Sequence, residues 1–225
     1  MTRACIVNVA FGDGYDRMQD RLVQSVRRVS PKVAVLTLDH EPPGCPPHAE
    51  APYAFKHHMI RYAESRGYDL VVWADCSIVF IKPVEELMRL VWDRGYWISC
   101  QGGTIGEWCS DEALTLLGWE REEALKVTAV TAGLYGLDLR TPIGQAILRF
   151  LERHEAALPG PWAYSEEERP HPAVKGHRHD QPILSTCFAK HGLVIEQRPC
   201  WLDYLFAGQE EPIPNYVGAV VSPAR

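Results

Sequence analysis

The chain has 225 residues, 46% of them hydrophobic and 23% charged, with a formal net charge of −6. That composition suits one soluble α/β domain over residues 1–225, and no apolar run approaches the roughly 18 residues of a membrane span. The acidic balance argues against a broad nucleic-acid surface. Seven scattered cysteines without a CxxC pair argue against a disulfide framework or zinc cluster and for a reducing cytoplasm.

The opening residues, Met1 to Val7, are strand-like and too short for a signal peptide. Residues 4–10 (ACIVNVA) read as a first strand, followed by the glycine-bearing loop Phe11-Gly12-Asp13-Gly14-Tyr15. Apolar Met18, Leu22, Val23, Val26 and Val29 give residues 16–29 near-helical spacing, Ser30-Pro31 ends that helix, and residues 33–38 form a second strand. This βαβ opening has neither GxGxxG nor a Walker lysine, so dinucleotide and P-loop binding are not supported. Residues 40–53 carry five prolines and read as irregular; a helix over 54–66 follows, with Lys56 near its start.

The most informative stretch is Tyr68 to Phe80. Leu70 to Trp73 are apolar and β-favouring, as in a parallel strand covered on both faces, and Asp75 then stands where the strand leaves the core. A charge there costs free energy unless it is paired, hydrogen-bonded or holding a metal. The carboxyl ends of strands in open α/β sheets are where ligands bind. The alternative is an Asp that caps the next element, but Pro83 and Glu85-Glu86 already supply a separate helix start.

Further on, the pattern predicts a helix near 84–94, a strand over 96–100, a flexible loop over 102–106 and short helices over 111–117 and 121–126. A strand over 127–137 (VTAVTAGLYGL) contains two glycines, where backbone can approach a ligand closely. An amphipathic helix spans 143–157, a Pro- and charge-rich surface loop 158–176, and a short helix introduced by residues 177–182 runs through 189. From about residue 199 the tail reads as irregular, with Trp201, Tyr204 and Phe206 packing back on the domain.

This order of elements resembles the GT-A glycosyltransferases, nucleotide-sugar-dependent enzymes with a Rossmann-like, mostly parallel sheet flanked by helices. GYDLVVWADCSIVFIKPVEEL is similar to the family segment in which a strand ends in a DxD motif. TAGLYGLDL looks like the later strand that lines the acceptor side, and HRHDQPILS resembles a His/Asp-Gln helix start seen late in such enzymes. The match spans roughly residues 4–190. It implies transfer of a sugar from a nucleoside-diphosphate sugar to an acceptor hydroxyl, on a glycan or lipid-linked saccharide by default and on a hydroxymethylated DNA base as a minority option.

On the donor side the resemblance points to Phe11, Asp13, Tyr15, Lys56, Asp75 and Ser77. Asp75 and Asp180 stand as catalytic carboxylates, and Asp75 with His179 as ligands of Mn²⁺ or Mg²⁺, hard ions that prefer oxygen. The acceptor side takes Glu107, Trp108, Asp111, Gly133 and Tyr135. The chain departs from the family at Ser77, which stands at the third position of the motif and brings no formal charge. A metal-independent site using Lys56 or Arg178 therefore stays open. Several candidates also have a structural reading: Tyr15 and Trp108 as packing aromatics, Lys56 as a solvated lysine, Asp180 as a helix cap. A nucleotidyltransferase and a non-catalytic nucleotide- or carbohydrate-binding module are the competing functions.

Overall fold

The computed structural model describes residues 3–12, 14–196, 202–204 and 213–214. Its centre is a five-stranded sheet. Strand β1 (Ala4–Val9) lies between β2 (Ala34–Leu38) and β3 (Leu70–Ala74), parallel to both. The crossovers carry α1 (Tyr15–Val29) and α2 (Phe55–Ser65). Beyond β3 come β6 (Thr128–Asp138), antiparallel to it, and β5 (Tyr96–Thr104), antiparallel to β6, for the order β2-β1-β3-β6-β5. Four of the five strands thus run the same way, and the α/β expectation with a mostly parallel sheet holds.

The pleat sorts the side chains onto two faces. Cys5, Val7 and Val9 of β1, with Val71 and Trp73 of β3, enter one core. It also takes residues of α2, α6 (Pro142–Arg153) and α7 (Asp180–Lys190). Ile6, Leu70, Val72 and Ala74 enter the other, against Leu22 and Val26 of α1 and Leu87 and Val91 of α3 (Glu85–Arg94). The fully buried Asn8 is satisfied by donating to Ala74 O at 2.8 Å and accepting from Gln19 Nε2 at 2.9 Å. That polar pin fixes the end of β3, where Asp75 begins.

In β6 the alternation slips. Val130 and Ala132 share a core face with Tyr135 and Leu137, which a regular period of two forbids. The register with β5 shifts in the same place, between the pairs Ile98–Tyr135 and Cys100–Val130. Such an irregularity re-aims backbone groups, and here the carbonyls of Ala132 and Gly133 turn towards Lys56 and Asp75.

Three sequence expectations are corrected. Residues 102–106 are not a flexible loop: β5 continues through Gly102 and Gly103 to Thr104, and a 3-10 turn follows at Ile105–Glu107. Both glycines have positive φ, 83° and 76°, which lets a bulged strand carry on where other residues would be strained. The helix expected over 143–157 stops at Arg153 and gives way to a 3-10 turn at Glu155–Ala157. In the tail, β7 (Leu202–Tyr204) pairs with β4 (Ile78–Phe80) and β8 (Ile213–Pro214) with β7, a second small sheet with no strong sequence pattern. The packing expected of Trp201 and Phe206 lies outside the described residues. Among those described, no helix is long and apolar enough to cross a membrane.

Candidate active site

The site is built where β3 ends. Asp75 follows Ala74 directly, and its backbone N–H donates to Gly133 O at 2.8 Å, tying the corner to the irregular part of β6. Trp73 lies two residues earlier and so on the same side of the strand; its Nε1–H donates to Asp75 Oδ1 at 2.7 Å. Lys56, on the first turn of α2, is 3% exposed and brings its ammonium to the same oxygen at 3.0 Å. On its other side the ammonium meets Asp180 Oδ2 at 3.1 Å, and its third contact is Ala132 O at 2.9 Å. All three donors of the ammonium are used. The rings of Tyr53 and Trp73 lie over it at 5.2 and 5.4 Å.

These charges belong together. Burial alone would pull the Lys56 ammonium down, but Asp180 and Asp75 outweigh it and hold Lys56 above the usual lysine range. Burial pushes the Asp180 carboxyl up to about 6; Lys56 opposes the shift and Asp75 adds to it. The ammonium at 3.1 Å and the first turn of α7, where backbone N–H groups favour an anion, keep Asp180 ionised at neutral pH. Two carboxylates face one ammonium, so the formal charge of the cluster is negative. Among the described residues, both side-chain contacts of Asp75 fall on Oδ1, which leaves Oδ2 of a one-third-exposed side chain for a ligand.

An aromatic wall borders the cluster. Tyr53 stacks on His179 with centroids 5.0 Å apart, and the exposed Trp162 lies parallel to both rings, 5.7 Å from His179 and 6.4 Å from Tyr53. The Arg178 guanidinium sits 3.8 Å from the Trp162 ring centre and 4.3 Å from that of Trp108. Phe11, His48 and Phe55 continue the wall by edge and tilted contacts. His179 Nδ1 is hydrogen-bonded to Leu158 O at 2.9 Å, so Nδ1 carries the proton and Nε2 keeps a lone pair. His177 is fully buried: its Nδ1 accepts from Ser110 N–H and its Nε2 donates to Leu158 O. Burial lowers His177 to about 4 and His179 below its usual value.

Of the residues expected from sequence, the structure brings Lys56, Asp75 and Asp180 into direct contact. The Gly133 carbonyl accepts from the Asp75 backbone N–H, and Tyr135 lies buried beneath, close enough for Lys56 to offset part of the upward pull of burial on its hydroxyl. His179 adjoins Asp180 and faces the aromatic wall. Ser77 is 7% exposed, and Tyr15 is half exposed at the start of α1. Asp13 lies outside the described residues.

Glu107, Trp108 and Asp111 stand apart from the carboxylates. Glu107 closes a capping box with Thr104 and pairs with Lys175 at 2.6 Å. Asp111 pairs with Arg121, and Trp108 is buried below Arg178 and Lys175. Sequence reasoning missed Tyr53 and Trp162, both in segments without periodicity. It also missed Trp73 as a partner of Asp75, which the spacing of two offered.

No family model matches the chain, and no curated protein matches it in sequence. Solved structures do. The galactosyltransferase LgtC, solved with donor and acceptor sugar analogs, is similar over 81% of this chain and 70% of its own, with 16% identity and a TM-score of 0.42. The mouse xyloside xylosyltransferase 1 is similar over 88% and 85%, with 9% identity and a TM-score of 0.45. The bifunctional glycosyltransferase WbbM is similar over 83% of this chain but only 37% of its own, with 13% identity and a TM-score of 0.48. All three are glycosyltransferases.

Proposed function

We propose that the protein transfers a sugar from a nucleoside-diphosphate sugar to an acceptor hydroxyl. The observation that carries this reading is the buried Lys56 ammonium held between Asp75 and Asp180 at the carboxyl end of β3. Buried charges of both signs are costly to assemble, and the carboxyl ends of strands in open α/β sheets are where ligands bind. In the reaction, the bond between the anomeric carbon and the β-phosphate oxygen breaks. The acceptor oxygen bonds to that carbon, its proton passes to solvent water, and negative charge collects on the departing diphosphate.

Asp75 sits on the donor side. Its remaining oxygen, Oδ2, fits a hard divalent cation, because Mg²⁺ and Mn²⁺ are commonly held by one or two carboxylates with substrate phosphates filling the shell. The net negative charge of the cluster calls for such a cation when a diphosphate arrives. Bound there, the ion would supply charge neutralisation for the leaving group. His179 Nε2 is the further protein atom this reading offers it. Lys56 orients both carboxylates from beneath, and its buried hydrogen bonds keep them from swinging into solvent. Asp180, ionised above about pH 6, stands beside the reacting carbon, where it opposes positive charge developing there.

The base is proposed to lie near Phe11 and Tyr15, after β1. The acceptor is proposed to lie along Tyr53, His179 and Trp162, because an exposed tryptophan offers a flat apolar face to a pyranose. A saccharide is therefore preferred over DNA as acceptor. The six described cysteines are free thiols, in keeping with a reducing compartment, and the cytoplasm is the proposed location.

A thermal-shift screen of nucleotide sugars with and without Mn²⁺ tests the reading, followed by a donor-hydrolysis assay with the best binder. Cation-dependent stabilisation together with hydrolysis supports a transferase. Stabilisation without turnover identifies a binding module instead, and stabilisation by nucleoside triphosphates alone identifies a nucleotidyltransferase.

A further inference from the structure

A second cluster lies one residue along α2 from Lys56. His57 Nε2 is 2.6 Å and His58 Nε2 3.1 Å from the same atom, Glu155 Oε1, on the 3-10 turn after α6. His57 is buried, while His58 and Glu155 are half-buried. The two imidazole rings are 4.9 Å apart, and one ligand atom from each of the three residues lies within 4.8 Å of the others. Among the described residues, this is the group of three His, Cys, Asp or Glu side chains with that spacing.

Two imidazoles converging on a single carboxylate oxygen is an uneconomical hydrogen-bond arrangement, since Glu155 has a second oxygen that neither uses. It is an economical metal arrangement. Around a tetrahedral Zn²⁺ with bonds of about 2.0 Å, neighbouring ligand atoms stand about 3.3 Å apart. The two nitrogen–oxygen separations, 2.6 and 3.1 Å, fall just short of that, and the third pair of ligand atoms lies within 4.8 Å, so small side-chain adjustments admit the ion. Neutral imidazoles and one carboxylate are a donor set that suits Zn²⁺ better than Mg²⁺ or Ca²⁺.

We propose that His57, His58 and Glu155 bind one Zn²⁺, separate from the carboxylate pair around Lys56, with an open position for water. The ion clamps the first turn of α2 to the turn after α6, and so steadies the helix that presents Lys56. This site does not depend on the glycosyl-transfer reading.

The test uses tag-free, chelator-treated full-length protein titrated with Zn²⁺ against a competing chromophoric chelator. One equivalent is expected to bind with a Kd below about 1 µM, and His58→Gln and Glu155→Gln are each expected to weaken it about tenfold or more. Asp75→Asn, at the other site, keeps wild-type affinity. Co²⁺ replaces Zn²⁺ as a second readout: absorption bands of a low-coordinate site appear in the wild type and vanish in His58→Gln. His58→Gln is the main variant because that side chain is half-buried and its loss spares the core; melting temperatures of both variants with chelator present confirm folding. Failure of the wild type to bind stoichiometric Zn²⁺, or wild-type affinity in both variants, overturns the proposal. Loss in Asp75→Asn alone would move the ion to the other site and equally overturn it.

Discussion

His179 stacks on Tyr53 at 5.0 Å, and these two are the non-glycine residues with positive φ among those described, 49° and 66°. The stack and the two sparsely populated backbone conformations thus coincide at the edge of the Lys56 cluster. Strain of this kind costs about 1–3 kcal/mol per residue and gathers where a site needs a fixed orientation.

The strain can be measured by comparing two variants of one position. His179→Ala and His179→Gly both lose the ring, but only glycine relaxes at φ 49°. Glycine normally destabilises relative to alanine by raising unfolded-state entropy. Here the order is expected to invert, with His179→Gly more stable than His179→Ala by about 1 kcal/mol in urea unfolding. Alanine more stable than glycine would show that the backbone at 179 is not strained.

Lys56 is expected to be structurally indispensable at neutral pH. Lys56→Met fills the same space but leaves Asp75 and Asp180 facing each other without a cation, which costs about 3–5 kcal/mol. The loss is expected to shrink at pH 5, where a proton can replace the missing ammonium on the buried Asp180. Urea unfolding at pH 7.5 and pH 5 checks this, and an identical loss at both values would assign the effect to packing alone.

How much of this was legible in the sequence depended on periodicity. The run from Leu70 to Trp73 and the isolated Asp75 announced a strand end with a charge because both faces of β3 are buried. The helix starts at Lys56 and Asp180 were equally readable. That these three side chains meet was not, since the meeting is made by the slip in β6 and the crossing of α2 and α7, both set by long-range packing. Gly102 and Gly103 suggested a loop because glycine weakens strand propensity, yet the same freedom at positive φ lets β5 bulge and continue. Tyr53 and Trp162 sit in proline-rich connections, where spacing carries no information about which side chain turns inward.

The role proposed for Asp180 carries a pH signature. Its folded pKa of about 6 lies above the ordinary carboxylate value, because burial disfavours the charge. Folding stability linked to this group is therefore present below the unfolded value of 3.8 and is lost as pH rises through about 6. The role proposed for Asp180 needs the ionised form, so the transfer rate is expected to fall as pH drops through about 6. Asp180→Asn should lower the rate about 100-fold or more, abolish that acidic limb and leave donor affinity nearly intact. The helix-cap reading of Asp180 does not hold, since His179 stands at the N-cap of α7 and the Asp180 carboxylate meets Lys56 instead; an unchanged single-turnover rate in Asp180→Asn would reduce the residue to a structural partner of Lys56.

His177 works in the opposite direction. Its folded value of about 4 lies below the unfolded 6.5 because burial disfavours the imidazolium. Its contribution is complete above pH 6.5 and is lost as pH falls towards 4, since the unfolded chain takes up the proton first. The size is at most about 3 kcal/mol. His177→Gln keeps a donor for Leu158 O without the titration. The difference in stability between wild type and this variant should therefore shift over pH 6.5 to 4, with the Asp180 contribution cancelling. A difference that stays flat with pH would mean that His177 does not titrate differently on folding.

Ser77 is where the chain departs from a two-carboxylate motif, and its burial makes the consequence definite. Ser77 is 7% exposed and two residues from Asp75. Ser77→Asp would therefore place another carboxylate in a poorly solvated position near a cluster that already carries excess negative charge. In the absence of divalent ions the variant is expected to lose about 2–4 kcal/mol, the cost of a buried unpaired charge. If the cation position is at Asp75, the same carboxylate becomes a ligand, and Mn²⁺ should restore much of that loss while stabilising the wild type far less. The melting temperature of both proteins with and without Mn²⁺ reads this directly, independent of turnover. A variant destabilised equally with and without Mn²⁺ would place the side chain of residue 77 away from any cation and confine ion binding on the donor side to Asp75 and the substrate.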